Sequence, residues 1–311
     1  MMKGFAMSRL VLVVFLVFGL FLGIVPPAAP AAHAEEMDDC ALPLPELTRV
    51  SPTYIHKLMQ QATAGDADAQ VRLGVRYYDG NGVSKDVQQA VSWWRKAAEQ
   101  GNATAQYFLG VMYAIEHDVS QDYPQAVNWW RKAAEQGNAS AQFSLGAMYA
   151  RGQGVPQDFQ QAAHWWRKAA EQGHEESQYN LGVVYESGEQ GIAQDFQQAA
   201  HWWRKAAEQG HLMAQGNLAI MYAEGRGVQK DVVLAYALCT IAAADGGREV
   251  SFTDSVLAKL NRERAQIFAQ VVQNRSLITQ QMTPEQIEEG KAIADQWKIG
   301  QPFPTERKTG R

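Results

Sequence analysis

One nine-residue sequence, Trp-Trp-Arg-Lys-Ala-Ala-Glu-Gln-Gly, occurs four times in this chain without a single change. The copies start at Trp93, Trp129, Trp165 and Trp202, and Gly65 and Gly246 continue the spacing of their final glycines. That spacing is 36 residues, apart from one interval of 37 residues that ends at Gly210. Five copies of one unit therefore occupy residues 66–246. A constant period of this length indicates a repeat protein, in which each unit buries its apolar face against its neighbours.

Each unit is predicted to form two helices joined by a glycine-rich turn. In the third copy, Asn138 is the N-cap of a first helix whose apolar residues are Ala141, Leu145, Met148 and Tyr149. The turn of residues 151–156 follows, and Asp158 with Gln161 has the spacing of a capping box for the second helix. The apolar face of that helix consists of Ala162, Trp165, Trp166, Ala169 and Ala170. The sequence therefore predicts an all-α solenoid of five helix-turn-helix repeats.

Eight tryptophans form the predicted structural core of the repeats. They are Trp93, Trp94, Trp129, Trp130, Trp165, Trp166, Trp202 and Trp203. Gly146 and Ala162 are small enough to let neighbouring helices approach closely, so we expect the rings to fill the space between one hairpin and the next. Each buried ring is worth about 3–5 kcal/mol relative to alanine. The Arg-Lys pair that follows is expected at a solvated helix end, where cations suit the helix dipole.

The repeated pattern resembles a known family. Ala-x-x-x-Leu-Gly-x-Met-Tyr, Gly-x-Gly-Val and Lys-Ala-Ala-x-x-Gly together resemble the Sel1-like repeat, a relative of the tetratricopeptide repeat, with the closest agreement over residues 141–173. The resemblance implies a right-handed superhelix that acts as an adaptor for other proteins. Three departures stand out: residues 115–119 replace the glycine turn of the second unit, the fourth unit carries an extra residue within 187–191, and Leu238-Cys239 replaces the tryptophan pair of the fifth.

The first 34 residues are predicted to be a secretory signal peptide. Lys3 and Arg9 precede an apolar run over residues 10–25, and Ala32-His33-Ala34 provides the small residues for cleavage after Ala34. The run is shorter than the roughly 20 residues that span a bilayer, although an uncleaved membrane anchor is the alternative interpretation. We therefore expect a periplasmic or secreted protein with no membrane span after cleavage.

The regions that flank the repeats are assigned from their composition. Residues 35–50 are predicted to be a linker, 51–65 an N-terminal capping helix, 247–300 a group of C-terminal helices, and 301–311 a loose tail. Cys40 and Cys239 lie near opposite ends of the predicted stack, so we do not expect an intramolecular disulfide. Cys239 takes the place of a tryptophan and is expected to be a small buried residue.

The sequence gives no indication of catalysis, cofactor binding or metal binding. A formal net charge of −5 argues against a nucleic-acid partner. The motif Ser-x-x-Lys of penicillin-recognising enzymes does not occur, and Lys308-Thr309-Gly310 resembles their third motif only within the predicted tail. His164 and His201 share a register, but equivalent helices lie about 10 Å apart, too far for two ligands of one zinc ion. We predict a protein that is not an enzyme.

A partner-binding surface is predicted on the first helices, if these line the concave side as they do in tetratricopeptide relatives. The positions two before and two after the repeated leucine are Val71, Val75, Tyr107, Val111, Phe143, Ala147, Tyr179 and Val183. Three successive aromatic residues can hold an extended or helical peptide of another protein, whereas the alternative is that the rings only pack between repeats. The predicted function is a scaffold in the cell envelope. The alternative function is a cell-wall hydrolase or a penicillin-recognising protein of the β-lactamase type.

Overall fold

A computed structural model describes residues 51–115, 121–188, 191–246 and 255–304. In these ranges the chain forms thirteen α-helices and no β-strand. The predicted signal peptide, the linker, Cys40 and the Lys308-Thr309-Gly310 motif lie outside the described residues, as does most of the altered turn of the second repeat.

The helices follow one another at nearly constant length. They are α1 (Pro52–Thr63), α2 (Ala67–Asp79), α3 (Val87–Glu99), α4 (Ala103–Ala114), α5 (Tyr123–Glu135), α6 (Ala139–Arg151), α7 (Phe159–Glu171), α8 (Glu175–Ser187), α9 (Phe196–Glu208), α10 (Leu212–Glu224), α11 (Val232–Gly246), α12 (Ser255–Thr279) and α13 (Pro284–Gln296). From α1 to α11, each helix packs mainly on its neighbours in the chain, so α2–α3, α4–α5, α6–α7, α8–α9 and α10–α11 form five hairpins in a row. Helix α1 packs on α2, while α12 and α13 both pack on α11. The predicted all-α solenoid with flanking helices is confirmed.

Helix boundaries follow the capping residues that the sequence contains. The Asp158 carboxylate accepts a hydrogen bond from the backbone N–H of Gln161 at 2.9 Å, and the same bond recurs at the start of the other second helices. Gly152 ends α6 in a left-handed conformation with a φ of 66°, which a residue with a side chain adopts only with strain. The capping box of Thr283 and Gln286 is present with both reciprocal hydrogen bonds.

The second tryptophan of each pair packs inside its own hairpin, directly over a glycine. A Cβ atom on Gly146 would lie 2.7 Å from Trp166 Nε1, so only glycine fits beneath the ring. The same indole donates its N–H to the carbonyl oxygen of Phe143 at 3.2 Å. The arrangement recurs in three other hairpins, with Trp94 over Gly74, Trp130 over Gly110 and Trp203 over Gly182. This contact sets how closely the two helices of a hairpin approach each other.

The first tryptophan of each pair has a different role, because it packs on the preceding hairpin. Trp165 belongs to a buried cluster that joins α4 and α5 to α6, and Trp202 belongs to one that joins α6 and α7 to α8. Trp129 packs in the same way and is half-buried, as is Trp93 beside α1. The sequence predicted that all eight rings lie between hairpins. The structure divides them equally between contacts within a hairpin and contacts between hairpins.

The Arg-Lys pairs also connect the repeats. Arg131 donates a hydrogen bond to the hydroxyl oxygen of Tyr149 in the next hairpin at 3.1 Å. Lys132 lies over the Trp129 ring at 4.3 Å from its centroid, a distance at which a cation is attracted to the aromatic face. The sequence analysis assigned these side chains to a solvated helix end. Lys132 is exposed in the last turn of α5, as predicted, and both side chains also contact rings within and between repeats.

A buried glutamine links each hairpin to the one before it. The Gln106 side chain donates to the carbonyl oxygen of Ala98 at 3.2 Å and accepts a hydrogen bond from Gln136 at 2.7 Å. The fifth unit lacks a glutamine equivalent to Gln136, because Ala-Asp-Gly replaces Glu-Gln-Gly at residues 244–246. Accordingly, Gln215 Oε1 is buried and has no hydrogen-bond partner among the described residues. The last repeat thus departs from the others in its polar contacts as well.

The segment after α13 packs on the repeats as far as it is described. Phe303 is only 3% exposed and joins the core cluster of α9 to α11. Its backbone N–H donates to the Glu208 carboxylate at 2.9 Å, and the N–H of Gly300 donates to the Glu208 carbonyl oxygen at 2.7 Å. The sequence analysis assigned residues 301–311 to a loose tail because they are polar and contain proline. The side chain and the backbone N–H of Phe303 instead hold the described part of this tail, residues 301–304, against the repeats.

Two glycine-to-alanine substitutions test the tryptophan–glycine contact. In Gly110→Ala the new Cβ would lie 2.4 Å from Trp130 Cδ1, whereas in Gly216→Ala its nearest neighbour is Val271 Cγ2 at 3.5 Å. Alanine favours a helix over glycine by about 1 kcal/mol, so Gly216→Ala should be neutral or stabilising. Gly110→Ala should lower the free energy of unfolding by about 1–3 kcal/mol. Urea denaturation followed by circular dichroism measures both, and equal effects would contradict the contact.

Candidate partner-binding strip

The structure separates the eight predicted partner-contacting residues into two groups. Val71, Val111 and Ala147 are 9%, 6% and 4% exposed and lie in the core clusters. These three are therefore packing residues, because the tryptophans and neighbouring helices cover them. The other five are half-buried and remain open to solvent. We call them the first-helix strip: Val75, Tyr107, Phe143, Tyr179 and Val183.

Two aromatic rings of the first-helix strip stack on histidines of the next hairpin. The rings of Phe143 and His174 are 4.8 Å apart with an interplanar angle of 23°, and those of Tyr179 and His211 are 4.5 Å apart at 16°. One face of each ring is thus used in packing between hairpins, as the alternative interpretation proposed. Each ring nevertheless remains only half-buried, so a part of it stays accessible to a partner.

The two histidines are the N-caps of α8 and α10. His174 Nδ1 accepts a hydrogen bond from the backbone N–H of Ser177 at 3.3 Å, and His211 Nδ1 accepts one from that of Ala214 at 3.2 Å. His211 Nε2 lies 3.4 Å from a carboxylate oxygen of Glu176. A ring nitrogen accepts a hydrogen bond only when it carries no proton. This capping geometry therefore requires neutral histidines with the proton on Nε2.

The titratable groups around these caps have shifted pKa values. Burial lowers the pKa of His174, and the charge of Glu176 opposes that shift. Partial burial raises the pKa of Glu176, but the hydrogen bond with His211 and the charges that both histidines carry when protonated outweigh it, so the net shift is downward. Burial raises the pKa of Glu175, the charge of a protonated His211 opposes that shift, and the charge of Glu176 adds to it. Burial also raises the pKa of Tyr107 and Tyr179.

The sequence predicted the position of the histidines but not their contacts. The repeat spacing aligns His174 and His211 with Asp66, Asn102 and Asn138, and this alignment predicts that both histidines stand at helix starts. Their stacking on Phe143 and Tyr179 depends on how far each hairpin is displaced along the stack. A sequence pattern within one repeat does not contain that displacement. The sequence feature that could have indicated this contact is the separation of 31 residues between Phe143 and His174. A separation close to one repeat length places two residues on neighbouring hairpins.

Neither a metal centre nor a membrane-spanning helix is present among the described residues. In the described ranges, no group of three or more His, Cys, Asp or Glu side chains is arranged to hold a metal ion. None of the helices there combines the length and hydrophobicity that a membrane span requires. Cys239 is a buried free cysteine whose pKa is raised by burial to about 12, which makes the thiol unreactive as a nucleophile.

Comparison with protein families gives five consecutive matches to the Sel1 repeat. They cover residues 67–102, 103–138, 139–174, 175–211 and 212–247, and each match contains one hairpin. The chain belongs to the Sel1 repeat family. Sel1 repeat proteins are generally scaffolds for protein–protein interaction and are typically not enzymes.

Individual Sel1 repeat relatives are similar over different lengths. The secretory immunoglobulin A-binding protein EsiB of Escherichia coli is 44% identical over 54 residues, which are 17% of this chain and 10% of that protein. The crystal structure of c5321, a protective antigen of uropathogenic Escherichia coli, is 29% identical with a TM-score of 0.50, over 79% of this chain and 56% of that one. A Sel1 repeat protein from Oxalobacter formigenes is 28% identical with a TM-score of 0.56, and the match covers 71% of this chain and 94% of that one. The chain therefore spans about a tenth of the length of EsiB and about half of the length of c5321.

The lowered pKa of His174 predicts a pH-dependent stability. The unfolded chain binds more protons than the fold just below the ordinary histidine pKa of about 6.5, so stability should fall as the pH decreases through that value. His174→Asn keeps a capping side chain of the kind found at Asn138 and removes the titrating group. We expect the melting temperature of this variant to decrease less than that of the parent protein when the pH is lowered from about 8 to about 5.

The matched control is His164→Asn on the exposed face of α7. This substitution removes an exposed histidine that caps no helix, so its comparison with His174→Asn isolates the effect of the cap. Identical pH profiles for the parent and His174→Asn would show that the histidine cap does not contribute.

Proposed function

We propose that this Sel1 repeat protein is an exported, non-enzymatic scaffold of the cell envelope that holds a segment of another protein on its first-helix strip. The observation that carries the proposal is the set of half-buried aromatic rings of Tyr107, Phe143 and Tyr179 on three consecutive hairpins. Partly exposed aromatic residues are typical anchors of protein interfaces. In this proposal the first helices line the concave side of the solenoid, and residues 1–50 provide the signal peptide and linker.

The dimensions of the strip suit a short peptide segment. Equivalent helices of neighbouring repeats lie about 10 Å apart, so the three rings cover about 20 Å. An extended chain rises about 3.3 Å per residue, and about six residues would therefore contact all three rings. A single helix of roughly four turns would cover the same distance. The strip can thus take either of the two peptide conformations that the sequence analysis considered.

The comparisons support an exported location. The name of EsiB describes a secretory immunoglobulin A-binding protein, and c5321 is described as a protective antigen. Both descriptions fit proteins outside the cytoplasm, in agreement with the signal peptide that the sequence predicts. Because the match to EsiB covers only a small part of that protein, its immunoglobulin ligand is not assigned to this chain.

Site-specific photo-cross-linking in the producing cells tests the scaffold proposal. A benzophenone amino acid replaces Val183 of the first-helix strip in one variant and the exposed Gln161 of α7 in a control variant. We expect irradiation to yield a covalent adduct with a discrete partner from position 183 and not from position 161. Mass spectrometry of the adduct identifies the partner segment. Adducts from position 161 alone would place the interface elsewhere and reject the proposal.

The aromatic rings are tested by Tyr107→Ala combined with Phe143→Ala in the protein that carries the cross-linker. If the rings are interface residues, the adduct disappears while the helical circular dichroism and the melting temperature change little. If the rings serve only packing, the variant unfolds at a much lower temperature. That second outcome would assign both residues to the core and leave Tyr179 as the only aromatic anchor.

A further inference from the structure

Charge is distributed unevenly along the first helices. Helix α4 contains no charged residue, and α6 contains only Arg151 at its end. Helix α8 carries Glu175, Glu176 and Glu186, and α10 carries Glu224. The first helices of the second and third repeats are therefore almost uncharged, whereas those of the fourth and fifth repeats are acidic.

The negative charge of this acidic end is only partly balanced within the protein. Arg226 lies between two carboxylates, at 2.9 Å from Glu186 and 2.6 Å from Glu224. Glu176 contacts His211, whose capping role requires a neutral ring. Arg226 therefore engages two of these four carboxylates, whereas Glu175 and Glu176 lie one turn before the half-buried ring of Tyr179 and contact no arginine or lysine among the described residues.

Glu175 is the least compensated of these groups. Its side chain is half-buried, and no hydrogen bond or ion pair with a described residue engages it. Burial raises the pKa of its carboxyl group, the charge of a protonated His211 opposes this shift, and the charge of Glu176 adds to it. A lysine or arginine from another molecule would supply the missing positive charge.

We propose that the partner segment is amphipathic and basic, with apolar residues on Phe143 and Tyr179 and a lysine or arginine beside Glu175. The inference rests on the proposed function and specifies the chemistry of the partner. The uncharged centre of the strip favours apolar side chains, since a charge placed there would lose water without gaining a counter-charge. The acidic end fixes the direction of the bound segment and favours basic partners over acidic ones.

Two labelled peptides of about ten residues, long enough to cross the strip, test this inference with the full mature chain. Both contain leucine at alternate positions, and the remaining positions are lysine in one peptide and glutamate in the other. Fluorescence anisotropy measures the affinity of each. We expect the lysine peptide to bind at least about tenfold more tightly than the glutamate peptide. A third peptide with serine in place of leucine should bind weakly, because lysine alone does not use the aromatic rings.

Charge reversal at Glu175 provides the decisive comparison. Glu175→Lys should reduce the affinity for the lysine peptide by about tenfold and raise that for the glutamate peptide. Glu171→Lys, at an exposed position of α7, makes the same change in net charge and should alter neither affinity by more than about twofold. Circular dichroism of both variants verifies that the solenoid is intact. Equal effects of the two substitutions would show that the peptides bind by non-specific charge attraction, and this result would overturn the inference.

The remaining outcomes separate this inference from the proposed function. If position 183 cross-links a partner but the two leucine peptides bind equally well, the scaffold function stands and the basic partner is wrong. If no peptide binds, the inference is likewise overturned. Sedimentation at the same concentrations detects self-association, and a dimer abolished by Glu175→Lys would assign the surface to a second copy of this chain instead.

Discussion

The contact between one indole ring and one glycine determines most of this structure. In four hairpins the second tryptophan covers a glycine of the facing helix so closely that a single methyl group would not fit. The indole N–H also donates to a carbonyl oxygen of that helix, as from Trp130 to Tyr107. A large ring against a position without a side chain thus gives both close approach and a fixed orientation. Because the hairpins are alike, they stack with a constant displacement. This displacement sets the positions of the other residues relative to one another.

In the fifth hairpin a smaller residue replaces the tryptophan of this contact and a larger residue replaces the glycine. Cys239 stands where the other units have the second tryptophan, and Ala219 stands where they have the glycine. Both residues are fully buried in one cluster. A smaller residue on one helix and a larger one on the other keep the space between them filled. This unit contacts α12 and α13 instead of a sixth hairpin. Leu238 takes the place of the tryptophan that packs on the preceding hairpin in other units, and the unit lacks the glutamine that would pair with Gln215.

The same stacking places the groups that we connect with function. It brings His174 against Phe143 and His211 against Tyr179, so that the aromatic rings are held rigidly while part of each remains exposed. Rings fixed in this way lose little conformational entropy when they bind a partner. The negative charges of α8 and α10 are gathered at one end of the row because each repeat lies directly beside the next. A linear pattern of small differences between repeats thereby becomes a surface with an apolar centre and an acidic end.

The amino-acid sequence alone determined the period, the two helices of each unit, their caps and the membership of the chain in an α-solenoid class. These features depend on residues close together in the chain, such as Asp158 with Gln161, and on one pattern repeated five times. Only the tertiary structure decided that Val111 and Ala147 are buried while Tyr107 and Phe143 stay partly open, and that the eight tryptophans divide into two roles. It also decided that Phe303 is held against the repeats. Burial at these positions depends on the offset and rotation between successive hairpins, which arise when whole faces pack together and are not encoded in any local spacing.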